Sequence, residues 1–217
     1  MLTYAGRAYR KDRDLQKAGQ AFVKAAEVQR KYVEGGTVDA ANNESEAFKA
    51  FRQASPLEAA EALNRAIDYY RGQNPRRAAT HLETLAKFYE EDMDDQAKAL
   101  EAYDESATIF DDDNAEQLAN KAKIKVGELA ALQGDYYRAC KKFDDVALKA
   151  TKNNLLRYSA KDYMLKGGIC HLATGDVVGS RKALESYVSW DPTFQQQREY
   201  LLLNDLIEAV EKGDPEM

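Results

Sequence analysis

The side chains that could support catalysis are few, and they are scattered along the chain. The two histidines, His81 and His171, lie 90 residues apart, and neither belongs to an HExxH motif. GxSxG, GxxxxGK[ST] and GxGxxG motifs are also absent from the sequence. Carboxylates are numerous, but no motif marks out one pair for acid-base work. We therefore predict a protein that is not an enzyme and that uses no cofactor or metal, with both histidines packed or at the surface.

Cysteine spacing and charge exclude further classes of function. Cys140 and Cys170 lack the CxxC spacing of metal and redox sites, and each falls in an apolar-periodic segment. Two reduced, packed thiols are expected, as in a cytosolic protein. The net charge of −6 argues against a dedicated nucleic-acid binder. No stretch approaches the ~20 consecutive apolar residues of a membrane span, which predicts a soluble, cytoplasmic chain.

Basic side chains give the stronger functional signal. In the segment 114–133, Lys121 and Lys125 share one helical face beside Glu128. The apolar positions of that helix form the predicted packed stripe, Leu118, Ala122, Val126 and Leu129. Lysines four residues apart repel each other by a few tenths of a kcal/mol, a cost that an acidic partner would offset. An ordinary solvated face explains this one helix equally well.

Similar basic residues recur in other segments, which favours a binding surface over a solvated face. We predict that a row of cations binds an elongated acidic partner, and that this binding weakens as salt rises. The candidate residues are Lys49, Arg52, Arg76, Arg77, Lys121, Lys125, Arg157 and Lys161, with Lys166 on the same segment as the last two.

A repeat of about forty residues positions these segments. A small-x3-large-x2-small pattern occurs five times, and successive copies begin 41, 40, 40 and 41 residues apart. Spacings of four and three place the three residues on one helical stripe, where the small residues let a neighbouring helix approach. The copies are Ala18/Phe22/Ala25, Ala59/Leu63/Ala66, Ala99/Tyr103/Ser106, Ala139/Phe143/Val146 and Ser180/Leu184/Tyr187.

The segments between these copies are also apolar-periodic, so each repeat is predicted to contain two antiparallel helices. These first helices cover 38–53, 75–91, 114–133 and 157–174. Ser55-Pro56-Leu57-Glu58 predicts a capping box, and Gly134-Asp135 and Gly175-Asp176 predict tight turns. The fold class is all-α: a right-handed solenoid of antiparallel helix hairpins, tetratricopeptide-like but with ~40-residue repeats instead of 34.

Residues 1–217 are predicted to form a single helical-repeat domain. It contains about five hairpins and a final helix, 193–211, which follows Asp191-Pro192. Residues 3–11 indicate a helix that begins without a capping residue. Because the ends of a solenoid normally carry a polar cap, we expect the chain to be truncated at both ends.

Four segments closely resemble the alpha-type soluble NSF attachment proteins, the SNAP family, of fungi. They are KAGQAFVKAAEVQRK (17–31), NKAKIKV (120–126), RYSAKDYMLKGGICHLATGD (157–176) and DPTFQQQRE (191–199). The resemblance extends over about residues 4–211, with a one-residue slip near Gln73-Asn74-Pro75. It implies an adaptor that binds the four-helix bundle of syntaxin-type and related SNAREs after membrane fusion. The adaptor recruits the hexameric ATPase NSF, which pulls the bundle apart during vesicle-mediated transport.

The resemblance also assigns a role to the basic residues, because family members bind the acidic SNARE surface with cations on their concave face. The positions that match are Lys121 and Lys125 directly, Arg52 and Lys161 as basic positions, and Arg76 and Arg77 in the fungal pattern. Thr80 departs from the pattern, since animal members carry a groove lysine there.

Two parts of the family are expected to lie outside this chain: an earlier helix pair with a membrane-touching apolar loop, and a later acidic tail with a leucine that stimulates NSF. The resemblance therefore implies weak SNARE binding and poor NSF activation, with peripheral association on the cytosolic face of membranes through SNAREs. The alternative is a generic tetratricopeptide-type scaffold that captures a short peptide or chaperone tail. A helical bundle needs a broad face, whereas an extended tail needs a narrow groove.

Overall fold

A computed structural model describes residues 1–213, which contain eleven α-helices, one 3-10 helix and no β-strand. The helices are α1 (Leu2–Lys11), α2 (Leu15–Tyr32), α3 (Thr37–Ala54), α4 (Pro56–Arg71), α5 (Pro75–Glu91), α6 (Gln96–Asp112), α7 (Glu116–Leu132), α8 (Tyr136–Lys152), α9 (Arg157–Ala173), α10 (Val177–Trp190) and α11 (Arg198–Lys212). The 3-10 helix, Pro192–Gln196, precedes α11.

The chain divides into two compact units, Met1–Ala122 and Lys123–Met217, and the boundary falls within α7. Each unit is built from consecutive helices that pack against their neighbours in sequence, such as α2 on α3 and α8 on α9. The single domain over 1–217 stays a prediction, and its last positions, 214–217, lie outside the described residues. The predicted all-α fold of successive helix hairpins is confirmed.

The repeated small-large-small pattern forms the buried stripe of every even-numbered helix from α2 to α10, as predicted. None of its fifteen residues is more than 5% exposed. Close helix approach is visible at Gly19 of α2, where a Cβ atom would lie 2.4 Å from the Phe51 ring of α3. Gly19 follows the first small residue of the α2 copy, Ala18, so the helices pack closely beside the stripe, and the large residues of the pattern fill the core.

The odd-numbered helices, here called the first helices, begin and end close to the predicted positions. Helix α7 begins at Glu116 instead of 114, because Asn114 has a left-handed backbone with φ 56°. The two predicted glycine-aspartate turns are confirmed. Gly134 has φ 79°, and Asp135 accepts a hydrogen bond from the Arg138 backbone N–H at 3.1 Å.

Two local predictions were wrong. Ser55 forms no cap bond to a backbone N–H; its hydroxyl donates to Glu58 Oε1 at 3.0 Å. Gln16 of α2 donates to the same oxygen at 2.9 Å. The Glu58 carboxylate is therefore engaged in a contact between helices, instead of the bond to the Ser55 backbone N–H that a capping box requires.

The predicted helix 193–211 is also interrupted. Asp191 accepts hydrogen bonds from the Thr193 N–H at 3.1 Å and the Thr193 hydroxyl at 2.7 Å, which stabilise a tight 3-10 turn after the proline. Gln197, with ψ 152°, separates that turn from α11. The last helix therefore starts at Arg198.

A polar cluster joins three helices of the second unit. Asp144 of α8 accepts a hydrogen bond from the Tyr187 hydroxyl of α10 at 2.6 Å, and its other oxygen lies 2.8 Å from His171 Nε2 of α9. The bond to Asp144, with a contribution from Cys140, raises the pKa of His171 to about 10, so the imidazole is protonated and donates. Gly167 leaves the space for this cluster, because a Cβ there would lie 2.7 Å from both Asp144 Oδ1 and the Tyr187 hydroxyl.

Candidate protein-binding surface

All eight predicted binding residues lie on first helices. Lys125 and Lys161 are half-buried, and the other six are exposed. Three of the four residues of the predicted α7 stripe are buried: Ala122 and Val126 fully, and Leu129 with 3% exposed. The fourth, Leu118, is half-buried. The sequence pattern therefore placed these cations on the correct helices. Whether they form one binding face stays a prediction.

An ion pair joins each first helix, or the residue that caps it, to the next first helix along the chain. The two members of each pair are 36 to 40 residues apart, which is close to one repeat. The pairs are Arg10–Glu46 at 2.7 Å, Arg52–Asp92 at 2.6 Å, Glu83–Lys121 at 3.4 Å, Glu128–Lys166 at 2.7 Å and Lys161–Glu199 at 3.1 Å.

In each of these pairs the cation is more exposed than its acid. The difference is largest for Lys121, whose side chain is 72% exposed while that of Glu83 is 16% exposed. Exposed ion pairs contribute only about 0–1 kcal/mol to stability. The arrangement therefore matters more for what it presents to solvent, an outer layer of ammonium and guanidinium groups over an inner layer of carboxylates.

Two of the predicted arginines are held by two-point contacts. Arg52 donates from Nη2 and Nε to Asp92 at 2.6 and 3.2 Å, and Arg157 donates in the same way to Asp191 at 2.9 and 3.2 Å. The Arg157 contact lowers the pKa of Asp191 to about 2. Such forked contacts fix the plane of the guanidinium and leave its remaining N–H groups directed elsewhere.

Three more of the predicted residues have other kinds of contact. Arg76 Nε lies 3.5 Å from Asp113, and Lys49 lies 2.7 Å from Glu46 on its own helix. Arg77 lies over the Tyr70 ring, 5.2 Å from its centroid, and donates to the Tyr70 hydroxyl at 3.3 Å.

A cleft of about 270 Å³ in the second unit is lined by Arg157, Tyr158, Lys161, Met164, Asp191, Thr193, Phe194 and Gln197. The Lys161 ammonium lies 4.9 Å from the centroid of the Tyr158 ring, which is 80% exposed. Two cations beside an exposed aromatic ring can hold a carboxylate together with an apolar side chain.

Sequence reasoning missed Lys123 and, apart from Glu128, the acids that pair with the cations of neighbouring first helices. Lys123 lies on the same helix as Lys121 and Lys125 but is buried and paired with Asp145 of α8. The acids could have been found from their spacing, because each lies about one repeat before or after its cation. The buried contact of Lys123 has no comparable signal in the sequence.

The remaining chemically reactive side chains serve the interior. His81 stacks on Tyr70 at 5.2 Å, and burial lowers its pKa. Cys140 and Cys170 are buried, as predicted, and burial raises the pKa of Cys170 to about 11. Within residues 1–213, no cluster of three or more His, Cys, Asp and Glu side chains is arranged to hold a metal ion. No helix in that range is both long and apolar enough to cross a bilayer.

The fold and the ion pairs define a helical-repeat protein whose first helices are joined by pairs of an outer cation and an inner carboxylate. The chain belongs to the SNAP family, since its residues 1–217 match the family described as soluble NSF attachment protein. This confirms the resemblance found in the sequence.

Individual relatives agree with this assignment. A sec17 homolog of Schizosaccharomyces pombe, described as a vesicular-fusion protein, is 42% identical over 214 residues, covering 98% of this chain and 73% of the relative. The alpha-soluble NSF attachment protein of Saccharomyces cerevisiae is 36% identical over 219 residues, covering 100% of this chain and 74% of the relative. The names of both relatives describe attachment or fusion, and neither names a catalytic activity.

Solved structures support the repeat fold. A kinesin light chain of Podosopora anserina with TPR-like repeats superposes with a TM-score of 0.50 at 14% identity, covering 90% of this chain and 95% of that chain. At this identity the likeness shows the fold alone. The tetratricopeptide-like architecture is thus confirmed independently of the sequence relatives.

Proposed function

We propose that the protein is a non-enzymatic adaptor in vesicle-mediated transport. It binds the assembled SNARE four-helix bundle through the cations of its first helices and recruits the ATPase NSF, which then disassembles the bundle. Its membrane association is peripheral and depends on the SNAREs. Family membership supports this proposal, together with relatives that are named as vesicular-fusion and NSF attachment proteins.

The outward placement of the cations is the observation that carries the proposal. Lys121 and Arg52 extend beyond the carboxylates that hold them, so a partner that approaches the first helices meets positive groups before negative ones. An acidic helical surface is complementary to this layer. Binding of this kind is fast and weakens with salt, because the screening length is ~8 Å at physiological ionic strength.

Charge reversal at two lysines of α7, the exposed Lys121 and the half-buried Lys125, tests the proposal. We expect Lys121→Glu with Lys125→Glu to weaken capture of a soluble SNARE bundle at least about tenfold, because two attractive contacts become repulsive. Capture is measured by pull-down at several salt concentrations, and NSF recruitment by gel filtration of the ternary complex. Circular dichroism reports whether the variant remains helical.

The matched control reverses two exposed lysines of the even-numbered helices, here called the second helices: Lys24 in α2 and Lys182 in α10. It changes the net charge equally but leaves the first helices intact, so capture is expected to stay within about twofold. A milder pair, Lys121→Gln with Lys125→Gln, avoids placing a new carboxylate beside Glu83. Undiminished capture by both α7 double variants would refute the proposal.

The cleft at Arg157 and Lys161 favours a second candidate function, capture of an acidic peptide tail. Its volume of about 270 Å³ suits a few side chains but not a helical bundle. A peptide-binding scaffold would lose affinity on Lys161→Ala and tolerate reversal at Lys121 and Lys125. The opposite ranking supports the adaptor.

A further inference from the structure

We infer that Glu83 and Glu128 are built-in competitors for the acidic partner, and that they keep the affinity of the first helices below what the cations alone would give. This inference rests on the proposed function and concerns the same surface. Both acids lie on first helices, and each is paired with a lysine of a neighbouring first helix.

Glu83 lies beneath Lys121 in the first unit. Its Oε1 atom is 3.4 Å from the Lys121 ammonium, which is a single and rather long contact. Because the Glu83 side chain is only 16% exposed, solvent screens its charge less than it screens that of Lys121. Its negative charge therefore acts on any carboxylate that reaches Lys121.

Glu128 occupies a comparable position in the second unit. It accepts a hydrogen bond from Lys166 Nζ at 2.7 Å, and its side chain is 39% exposed. On α7 it follows Lys121 by seven residues and Lys125 by three, which places its carboxylate on the same helical face. A partner that spans this face must pass over a negative group.

The contacts of these lysines differ from those of the arginines. Asp92 and Asp191 orient a planar guanidinium with two bonds, so removing either acid would also remove the positioning of the cation. An ammonium has three equivalent donors and no preferred plane, so it needs no such guide. At Glu83 and Glu128 the repulsion between acid and partner is therefore the larger effect.

The consequence is a surface tuned for reversible binding. An adaptor that must release its partner after each cycle gains from moderate affinity, and two carboxylates among the cations supply it without altering the fold. A partner with basic residues opposite Glu83 and Glu128 would bind better than a uniformly acidic one, which gives the surface a preference for alternating charge.

The test uses Glu83→Gln, Glu128→Gln and the double variant, with Glu105→Gln as the matched control. Glu105 of α6 forms a comparable pair at 2.6 Å with Arg71 of α4, but both residues lie on second helices. Glutamine preserves the shape and a hydrogen-bond acceptor while removing one charge. Dissociation constants are measured for a soluble SNARE bundle and, separately, for poly-glutamate.

We expect each single variant to bind both probes about threefold more tightly, the double variant about tenfold, and the control within about 1.5-fold. Equal or weaker binding by Glu83→Gln and Glu128→Gln would overturn the inference and make these acids positioning residues. If the unsubstituted chain fails to bind the SNARE bundle, the proposed function fails. The order of the variants on poly-glutamate then still decides the inference.

Discussion

Alanine at Gly167 is expected to loosen the second unit, although alanine is the better helix former. The substitution gains about 1 kcal/mol of helix propensity. Its Cβ, however, would lie 2.7 Å from both Asp144 Oδ1 and the Tyr187 hydroxyl, so the bond between them must break or lengthen. Taking the upper end of the range for a hydrogen bond to a charged group, the loss of this part-buried bond costs about 3 kcal/mol. The net loss of unfolding free energy is therefore about 2 kcal/mol.

Trp190, the single tryptophan, reports this region directly because its ring lies 5.3 Å from that of Tyr187. With an m-value of about 2 kcal/mol per molar urea, the fluorescence midpoint should fall by about 1 M. Gly168→Ala is the matched control on the same helix, since the three atoms nearest its Cβ all belong to the Leu203 side chain and none belongs to the polar cluster. Its midpoint should change by less than half as much.

A double-mutant cycle with Tyr187→Phe isolates the contact. Removing the hydroxyl removes one of the two close approaches, so Gly167→Ala should cost at least about 0.5 kcal/mol less in that background. A Gly167→Ala protein with an unchanged or higher urea midpoint would refute the assignment of Gly167 as the space that admits the cluster.

Two further predictions concern stability. His171 has a pKa of about 10 in the folded protein against an ordinary value of 6.5, so its contribution is fully present below pH 6.5 and is lost as pH rises toward 10. After allowing for its partial exposure, we expect the unfolding free energy measured by urea titration to fall by about 2 kcal/mol over that pH range. The His171→Gln protein should show a smaller change of unfolding free energy with pH. Equal pH dependence in the two proteins would contradict the ion pair. On α4, Ala66→Leu should lower the unfolding free energy by about 1–3 kcal/mol, because Ala66 is fully buried in the stripe and a larger side chain would overpack it. The control is Ala97→Leu at an exposed position, which should leave the unfolding free energy nearly unchanged. Thermal unfolding followed by circular dichroism measures both.

The bounds of the helices were predicted well, because the residues that must be buried recur at a regular helical spacing and so mark each helix in the sequence. The predicted first helix 38–53 is Thr37–Ala54 in the structure, and 157–174 is Arg157–Ala173. The predicted capping box at Ser55 failed because a distant residue decides the local structure there. Gln16 lies 42 positions before the carboxylate of Glu58 that it binds, and no local pattern announces that contact.

The charged surface of the first helices was predicted in part, and its role in binding stays a prediction. Helical spacing identified exposed cations such as Lys121, but it did not reveal that Lys123 on the same helix is buried and paired with Asp145. Nor did it reveal that Glu83 lies beneath Lys121, since that contact joins two repeats. Cation positions follow from one helix at a time, whereas their electrostatic surroundings depend on how neighbouring hairpins stack.

The direction of charge in these inter-repeat pairs gives each hairpin a fixed neighbour. Arg52 and Lys161 present a cation to the next first helix along the chain, whereas Glu83 and Glu128 present an acid to it. Hairpins that share the same buried stripe are therefore not interchangeable at their edges. Duplicating, deleting or reordering one hairpin would place like charges opposite each other where two hairpins meet. The residues of the inter-repeat ion pairs would then have to be redesigned together with the new hairpin order.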